Sequence, residues 1–274
     1  MNPSKILIKY GGNAMTNSTL QKKIAEQIKL LIQSGHQIVL VHGGGPFINQ
    51  ALEKASIHSK FIDGQRVTSP EALGEIQKTL IGDVNASLVK TFNSCGVKAV
   101  GLSGLDGRMV LSTKKLLQMT TASGEIENQD LGRVGEIIQV DADLIENLVG
   151  GNFTPIIACI ASDKEGNAYN VNADNFAGAL ASTIKADFYL SLTDVDGLYS
   201  NYPDPESIIT HLQLHQLEEL YGTVIQGGMI PKIQSIENAL RSGLSKALIL
   251  NRTQPEQIFQ YFGENEKIGT TITH

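Results

Sequence analysis

The chain has few cysteines, no surplus of positive charge and no apolar run long enough to cross a bilayer, and each shortage removes a class of function. Cys95 and Cys159 are its only cysteines in 274 residues, each among small or apolar neighbours and without a metal-ligating side chain at useful spacing. They read as buried, reduced thiols, which suits a reducing cytoplasm. The net charge of −6 argues against a general nucleic-acid or membrane-surface binder, because nothing overall neutralises a phosphate backbone. Any anion must then be held by local positive groups. The opening MNPSKILIKYGG lacks the apolar region and cleavage site of a secretory signal, so the expectation is a protein that stays in the cytoplasm. Internal repeats, low-complexity tracts and linker-like stretches are missing as well. With 41% hydrophobic residues the chain can bury a substantial core as one compact unit with two lobes meeting near residue 185.

Short apolar runs alternate with longer amphipathic stretches, the pattern of parallel strands joined by crossover helices. Strands are predicted at 5–9, 38–41, 97–102, 153–158, 188–192 and 247–250. Helices are predicted near 18–34, 47–55, 70–93, 177–181, 211–221 and 231–242. Between 106 and 140 the pattern changes to short, glycine-punctuated pieces such as Val134-Gly135-Glu136-Ile137-Ile138, which predicts hairpins over an edge or mouth of the main sheet.

Lys9-Tyr10-Gly11-Gly12 follows directly on the first apolar strand. Glycines let backbone N–H groups approach an anion, and a lysine ammonium is a compact charge for phosphoryl oxygens. The spelling is not that of a P-loop, in which the lysine follows the glycines; a solvated lysine at a strand end is the alternative. His42-Gly43-Gly44-Gly45-Pro46 repeats the strand, turn, helix setting, where free N–H groups and the helix dipole favour an anion, although a tight turn alone also uses such glycines. His42 reads as hydrogen-bonded structure rather than as an acid or base. Arg66, in the loop Gly64-Gln65-Arg66-Val67-Thr68, is the residue type that grips a carboxylate bidentately, or else merely a solubilising charge. In Tyr169-Asn170-Val171-Asn172-Ala173-Asp174 the two asparagines share one side of an extended segment, and Asp174 is expected at the N-cap of the next helix. Gly227-Gly228-Met229-Ile230-Pro231-Lys232 is a glycine-rich helix entry carrying a second lysine. Thr193-Asp194-Val195-Asp196-Gly197-Leu198-Tyr199 could border a nucleotide, or be explained by turn chemistry.

Taken in this order, KYGG, HGGGP, GQRVT, YNVNAD, TDVDGLY and GGMIPK resemble the amino-acid kinase family, and within it the acetylglutamate branch, from residue 5 to about 272. The resemblance implies an α/β fold, an open, mainly parallel sheet in an αβα sandwich, with the hairpin insertion over the acceptor site. It implies an acceptor lobe over about 1–185 and an ATP lobe over about 186–274. Lys9 and Lys232 would bind the transferring phosphoryl group, with Asp174 organising both. Gly11, Gly12, Gly43 and Gly44 would donate N–H groups to ATP phosphates or to the reacting carboxylate. Arg66 and Asn170 would grip the substrate α-carboxylate beside Asn172, and Asp194, Gly197 and Tyr199 would border ATP. No protein metal site is implied, Mg²⁺ being held by ATP phosphates and water. The implied reaction phosphorylates the side-chain carboxylate of N-acetyl-L-glutamate, an early step of arginine biosynthesis. Gln65 stands where the branch usually has leucine, so a sister activity on a carrier-linked aminoadipate or N-succinylglutamate is the alternative; a catalytically dead sensor is the third reading. Arginine-inhibited members resemble hexamers joined through an N-terminal helix, and only Met1 to Ser4 precede the first strand here. The expectation is a homodimer insensitive to arginine, binding small molecules and neither nucleic acid nor membrane.

Overall fold

The structure, a computed structural model, describes residues 2–62, 64–120 and 126–274. Its centre is an eight-stranded sheet built from β1 (Lys5–Tyr10), β2 (Gln37–His42), β3 (Ala99–Ser103), β4 (Thr154–Ala158), β5 (Phe188–Thr193), β6 (His211–Gln213), β7 (Lys246–Asn251) and β8 (Thr270–Thr273). The spatial order is β6-β8-β7-β5-β1-β2-β4-β3. All pairs are parallel except β7 with β8, which turns the last two strands against the rest. The mainly parallel α/β sheet read from the sequence is therefore present.

Strands buried on both faces read as continuous apolar runs, and β1, β2 and β5 do so because helices cover each side. Ile6, Ile8 and Tyr10 of β1 join a core with Ile24, Ile28 and Leu31 of α1 (Ser18–Gln33). Leu7 points the opposite way, into a core with Ile48 and Leu52 of α2 (Gly45–Lys54), Phe176, Ala177 and Leu180 of α3 (Ala173–Thr183), and Ile233 and Ile236 of α4 (Ile230–Arg241). The period of two along β1 thus sends Lys9 toward α3 and α4.

The expected hairpin is formed by Val110–Thr120 and Ile126–Val140. With Ile160–Ser162 and Ala168–Asn170 it closes into a small four-stranded barrel, a pairing the local pattern did not contain. The predicted helix at 211–221 is corrected: His211–Gln213 is edge strand β6, and only Leu217–Leu220 is α-helical after a 3-10 turn. β6 exists because β8, some sixty residues later, supplies its ladder partners Thr271 to Thr273. The long helix predicted at 70–93 is present but contains a π segment, Lys78–Asn85, from which Asn85 reaches the glycine turn after β2.

Candidate active site

Strand ends bring the chemistry together, since the residues following β1, β2 and β5 all emerge at the carboxyl edge where open α/β sheets bind ligands. Lys9 Nζ lies 2.8 Å from Asp174 Oδ1, and Lys232 Nζ lies 3.6 Å from Asp174 Oδ2. The expectation that Asp174 caps its helix is corrected. Asn172 is the N-cap, and its side-chain oxygen accepts from the N–H groups of Asp174 at 2.9 Å and Asn175 at 3.1 Å. That cap, worth about 1 kcal/mol, leaves the Asp174 carboxylate in the first turn free for the two lysines. α4 comes near enough because Gly178 of α3 faces Ser235, whose Oγ and O would lie only 2.7 and 2.9 Å from a Cβ at that glycine.

Lys9 and Asp174 are both buried. Burial pushes the Asp174 carboxyl upward, but Lys9 and Lys232 outweigh it and hold the group below the ordinary carboxylate range. Lys232 is pushed down to about 8, first by burial and then by the neighbouring Lys9 and Arg252 cations, with Asp174 opposing. If charged Lys232 is needed for activity, kcat/KM should be level near neutrality and fall with one-proton slope above about pH 8. A profile level to pH 10 would contradict that requirement.

A cavity of 280 Å³ opens beside Lys9 and Asp174; Lys232 does not line it. Gly11, Gly12, Gly43, Gly44, Arg66, Asn170 and Asn172 all line it together with Lys9 and Asp174. Arg66 lies on a short strand, Gln65–Val67, paired with Lys60–Ile62, rather than in a loop. Its guanidinium is 4.6 Å from the Phe61 ring centroid and donates to Asn49 Oδ1 at 2.6 Å and to Ser59 Oγ, which sets its plane at the cavity wall. Arg66→Ala should raise the KM of a carboxylate acceptor roughly 10- to 100-fold, the equivalent of about 1.5–3 kcal/mol, and leave the ATP KM alone. Steady-state kinetics with each substrate varied would check this, and an unchanged acceptor KM would remove Arg66 from the site.

His42 is fully buried, with Nδ1 2.8 Å from the Gly43 carbonyl and Nε2 3.0 Å from the Asn85 amide. A carbonyl only accepts, so Nδ1 carries the proton and Nε2 receives the Asn85 N–H. Burial pushes its pKa down to about 4, and the ring is a neutral strut under the glycine turn. Cys159 also borders the cavity, and burial lifts its thiol to about 12, which leaves it inert near neutrality.

Gly197 and Tyr199 lie elsewhere, in an apolar slot of 230 Å³ with Val195, Leu198, Tyr202, Val224 and Met229. A third space of 450 Å³ is bordered by Gly227, Gly228, Ile230 and Pro231 at the entry to α4 and shares Gly64, Gln65 and Asn172 with the 280 Å³ cavity. Asp194 lines none of these three spaces; its carboxylate is ion-paired with Arg252. Among the described residues no group of three or more His, Cys, Asp and Glu side chains is arranged as a metal cage.

A family model described as the amino acid kinase family matches residues 4–251. The chain belongs to the amino acid kinase family. An acetylglutamate kinase of Methanocaldococcus jannaschii is 40% identical over 97% of this chain and 89% of its own length. Another, of Desulfitobacterium hafniense, is 38% identical over 97% and 89% respectively. The solved structure of smu.665 from Streptococcus mutans UA159 superposes with a TM-score of 0.78 at 30% identity, covering 98% of both chains.

Two positions of this amino acid kinase escaped the sequence reading. Asp196 accepts from Asn251 at 3.0 Å, Gln254 at 2.8 Å and Tyr199 Oη at 2.9 Å, so it fixes the tyrosine bordering the slot. Arg252 is buried beside the first glycine turn. The available signal for both was slight: a second acid in TDVDG, and a charged residue directly after an apolar strand.

Proposed function

We propose that this kinase transfers the γ-phosphoryl group of MgATP to the side-chain carboxylate of N-acetyl-L-glutamate, giving the acyl phosphate and ADP in arginine biosynthesis. The observation that carries the reading is the Lys9–Asp174–Lys232 cluster, of which Lys9 and Asp174 line a cavity shared with four glycines of the two turns, Arg66 and two asparagines. The names of its relatives, at about 40% identity over nearly the whole chain, support the same acceptor.

A carboxylate is ionised at pH 7, so the nucleophile needs no general base. This accords with a site whose histidine is a buried strut. One carboxylate oxygen forms the new bond to phosphorus as the bond to the bridging oxygen of ADP breaks. Lys9 and Lys232 offset charge on the phosphoryl oxygens in flight, and Asp174 keeps the two ammonium groups apart and aimed. Arg66 and Asn170 hold the acceptor α-carboxylate, with Asn172 beside them, while Gly11, Gly12 and Gly44 donate N–H groups; the expectation for Gly43 is corrected, because its N–H donates to the Tyr10 carbonyl at 3.2 Å and ties the two glycine turns together. The apolar slot suits an adenine ring, and the glycine-rich entry to α4, which carries Lys232, suits the phosphates. In this arrangement residues 1–185 hold the acceptor and 186–274 the nucleotide. Asp174 is committed to the lysines, so Mg²⁺ would be held by ATP phosphates and water, screening phosphate charge.

The test is a panel of N-acylated acidic amino acids assayed for ADP release, with the acyl phosphate trapped by hydroxylamine. Turnover of N-acetylglutamate above the rest is expected. Preference for an N-succinyl or carrier-linked acceptor would transfer the activity to the second reading, which the polar Gln65 in the cavity wall favours. No trapped product with any acceptor would favour a sensor. Among the described residues no helix is long and apolar enough to cross a membrane. A cytoplasmic homodimer insensitive to arginine belongs to the same reading. Light scattering with and without arginine checks the assembly, and a hexamer would overturn it.

A further inference from the structure

Arg252 follows β7, and its N–H donates to the Thr193 carbonyl at 2.8 Å, at the end of β5. From there the side chain crosses the end of β5, because the sheet order runs β7-β5-β1, and its guanidinium packs against Gly12 in the turn after β1. At Gly12 the backbone has φ 77°, and a Cβ would fall inside the Arg252 guanidinium. The side chain is only 6% exposed, and its Nε has no hydrogen-bond partner. Among the described residues its one anionic partner is Asp194, on the loop after β5, whose own side chain is 63% exposed. A buried cation left to one solvent-facing carboxylate is costly unless something else requires it there.

We infer that Arg252 is a positioning residue for phosphoryl transfer, a planar floor that holds the Gly11–Gly12 turn so that its N–H groups face the phosphate chain, with Asp194 clamping the floor in place. The inference rests on the reading that this site binds ATP. Flatness matters as much as charge, since a guanidinium packs face-on against a glycine backbone where a lysine ammonium, a compact point charge, leaves a gap. Asp194 therefore acts through Arg252 and joins the nucleotide side of the site to the turn that also carries Lys9.

Arg252→Met, Arg252→Lys, Asp194→Asn and the Arg252→Met/Asp194→Asn double variant would be compared with the wild type for kcat, both KM values and melting temperature. Displacing the turn should raise the ATP KM and lower kcat, together costing about 100-fold in kcat/KM for ATP, while the acceptor KM stays within about twofold. Arg252→Lys should rescue little, because charge alone does not restore the floor. Asp194→Asn, on an exposed side chain, should cost about tenfold alone and nothing further in the Arg252→Met background. Full activity in Arg252→Met, full rescue by lysine, or an Asp194 effect that persists without Arg252 would each overturn the inference. So would a fall in melting temperature with unchanged ATP kinetics. Wild-type enzyme that turns over no ATP with any acceptor would instead refute the reading on which the inference stands.

Discussion

Lys232→Met should lower kcat by about 10²–10³ while changing the acceptor KM by less than about threefold, and Lys9→Met should do the same. Both ammonium groups lie against one carboxylate, and in the proposed reaction phosphoryl charge would develop beside them during transfer. Interactions that strengthen only in the transition state appear in kcat rather than in KM. The two effects should not add, because each lysine loses much of its value once the other no longer shares the phosphoryl oxygens. Rapid-quench measurement of the chemical step separates this from slow product release. Near-normal kcat in either variant would remove that lysine from the phosphoryl role.

Asp174→Asn should damage stability and turnover together. The neutral amide leaves Lys9, buried, and Lys232, largely buried, facing each other without a counter-charge, and breaking one side of a buried ion pair costs about 3–5 kcal/mol. The lysine nearer release should shed its proton or turn away. Lys232, already pushed down to about 8, is the one expected to do so. Urea unfolding at pH 7 should therefore show a lower midpoint with unchanged slope, and kcat should fall about 10²-fold or more. The stability loss should shrink as pH rises, because deprotonating one lysine removes the repulsion. A variant as stable as the wild type at pH 7 would mean that the lysines are not electrostatically dependent on Asp174.

The fold was legible wherever local pattern and tertiary environment agree. Apolar runs such as Ile6-Leu7-Ile8 and Val39-Leu40-Val41 are strands because both sheet faces are covered, and the amphipathic stretch at 18–33 is a helix because one stripe of it meets that sheet. The reading failed at 211–221, where Leu212, Leu217 and Leu220 mimic helical spacing but β8 recruits the first three residues into a strand. The hairpin was visible; its closure into a barrel with Ala168–Asn170 was not, since that pairing is non-local.

Of the candidate site, the residues with a reason to exist near phosphate were visible: two lysines, two glycine turns, an arginine and an Asn-x-Asn segment. Their roles within the local backbone were less so. Asn172 and Asp174 are both good caps, and only the helix start decided that Asn172 takes the N–H groups and Asp174 the lysines. Arg252 shows why such a residue is missed, because its significance lies in its contact with Gly12, two strands away in the sheet.

By itself, then, the sequence determined which chemistry was available. Period two along β1 sets the face of Lys9, and composition argues against a broad anionic partner; both depend only on neighbouring residues or on totals. Tertiary structure decided which charges meet. Lys9, Asp174, Lys232, Asp194 and Arg252 come from five separate segments, and the energy between charges depends on ångströms and on burial, neither of which is written in their spacing along the chain.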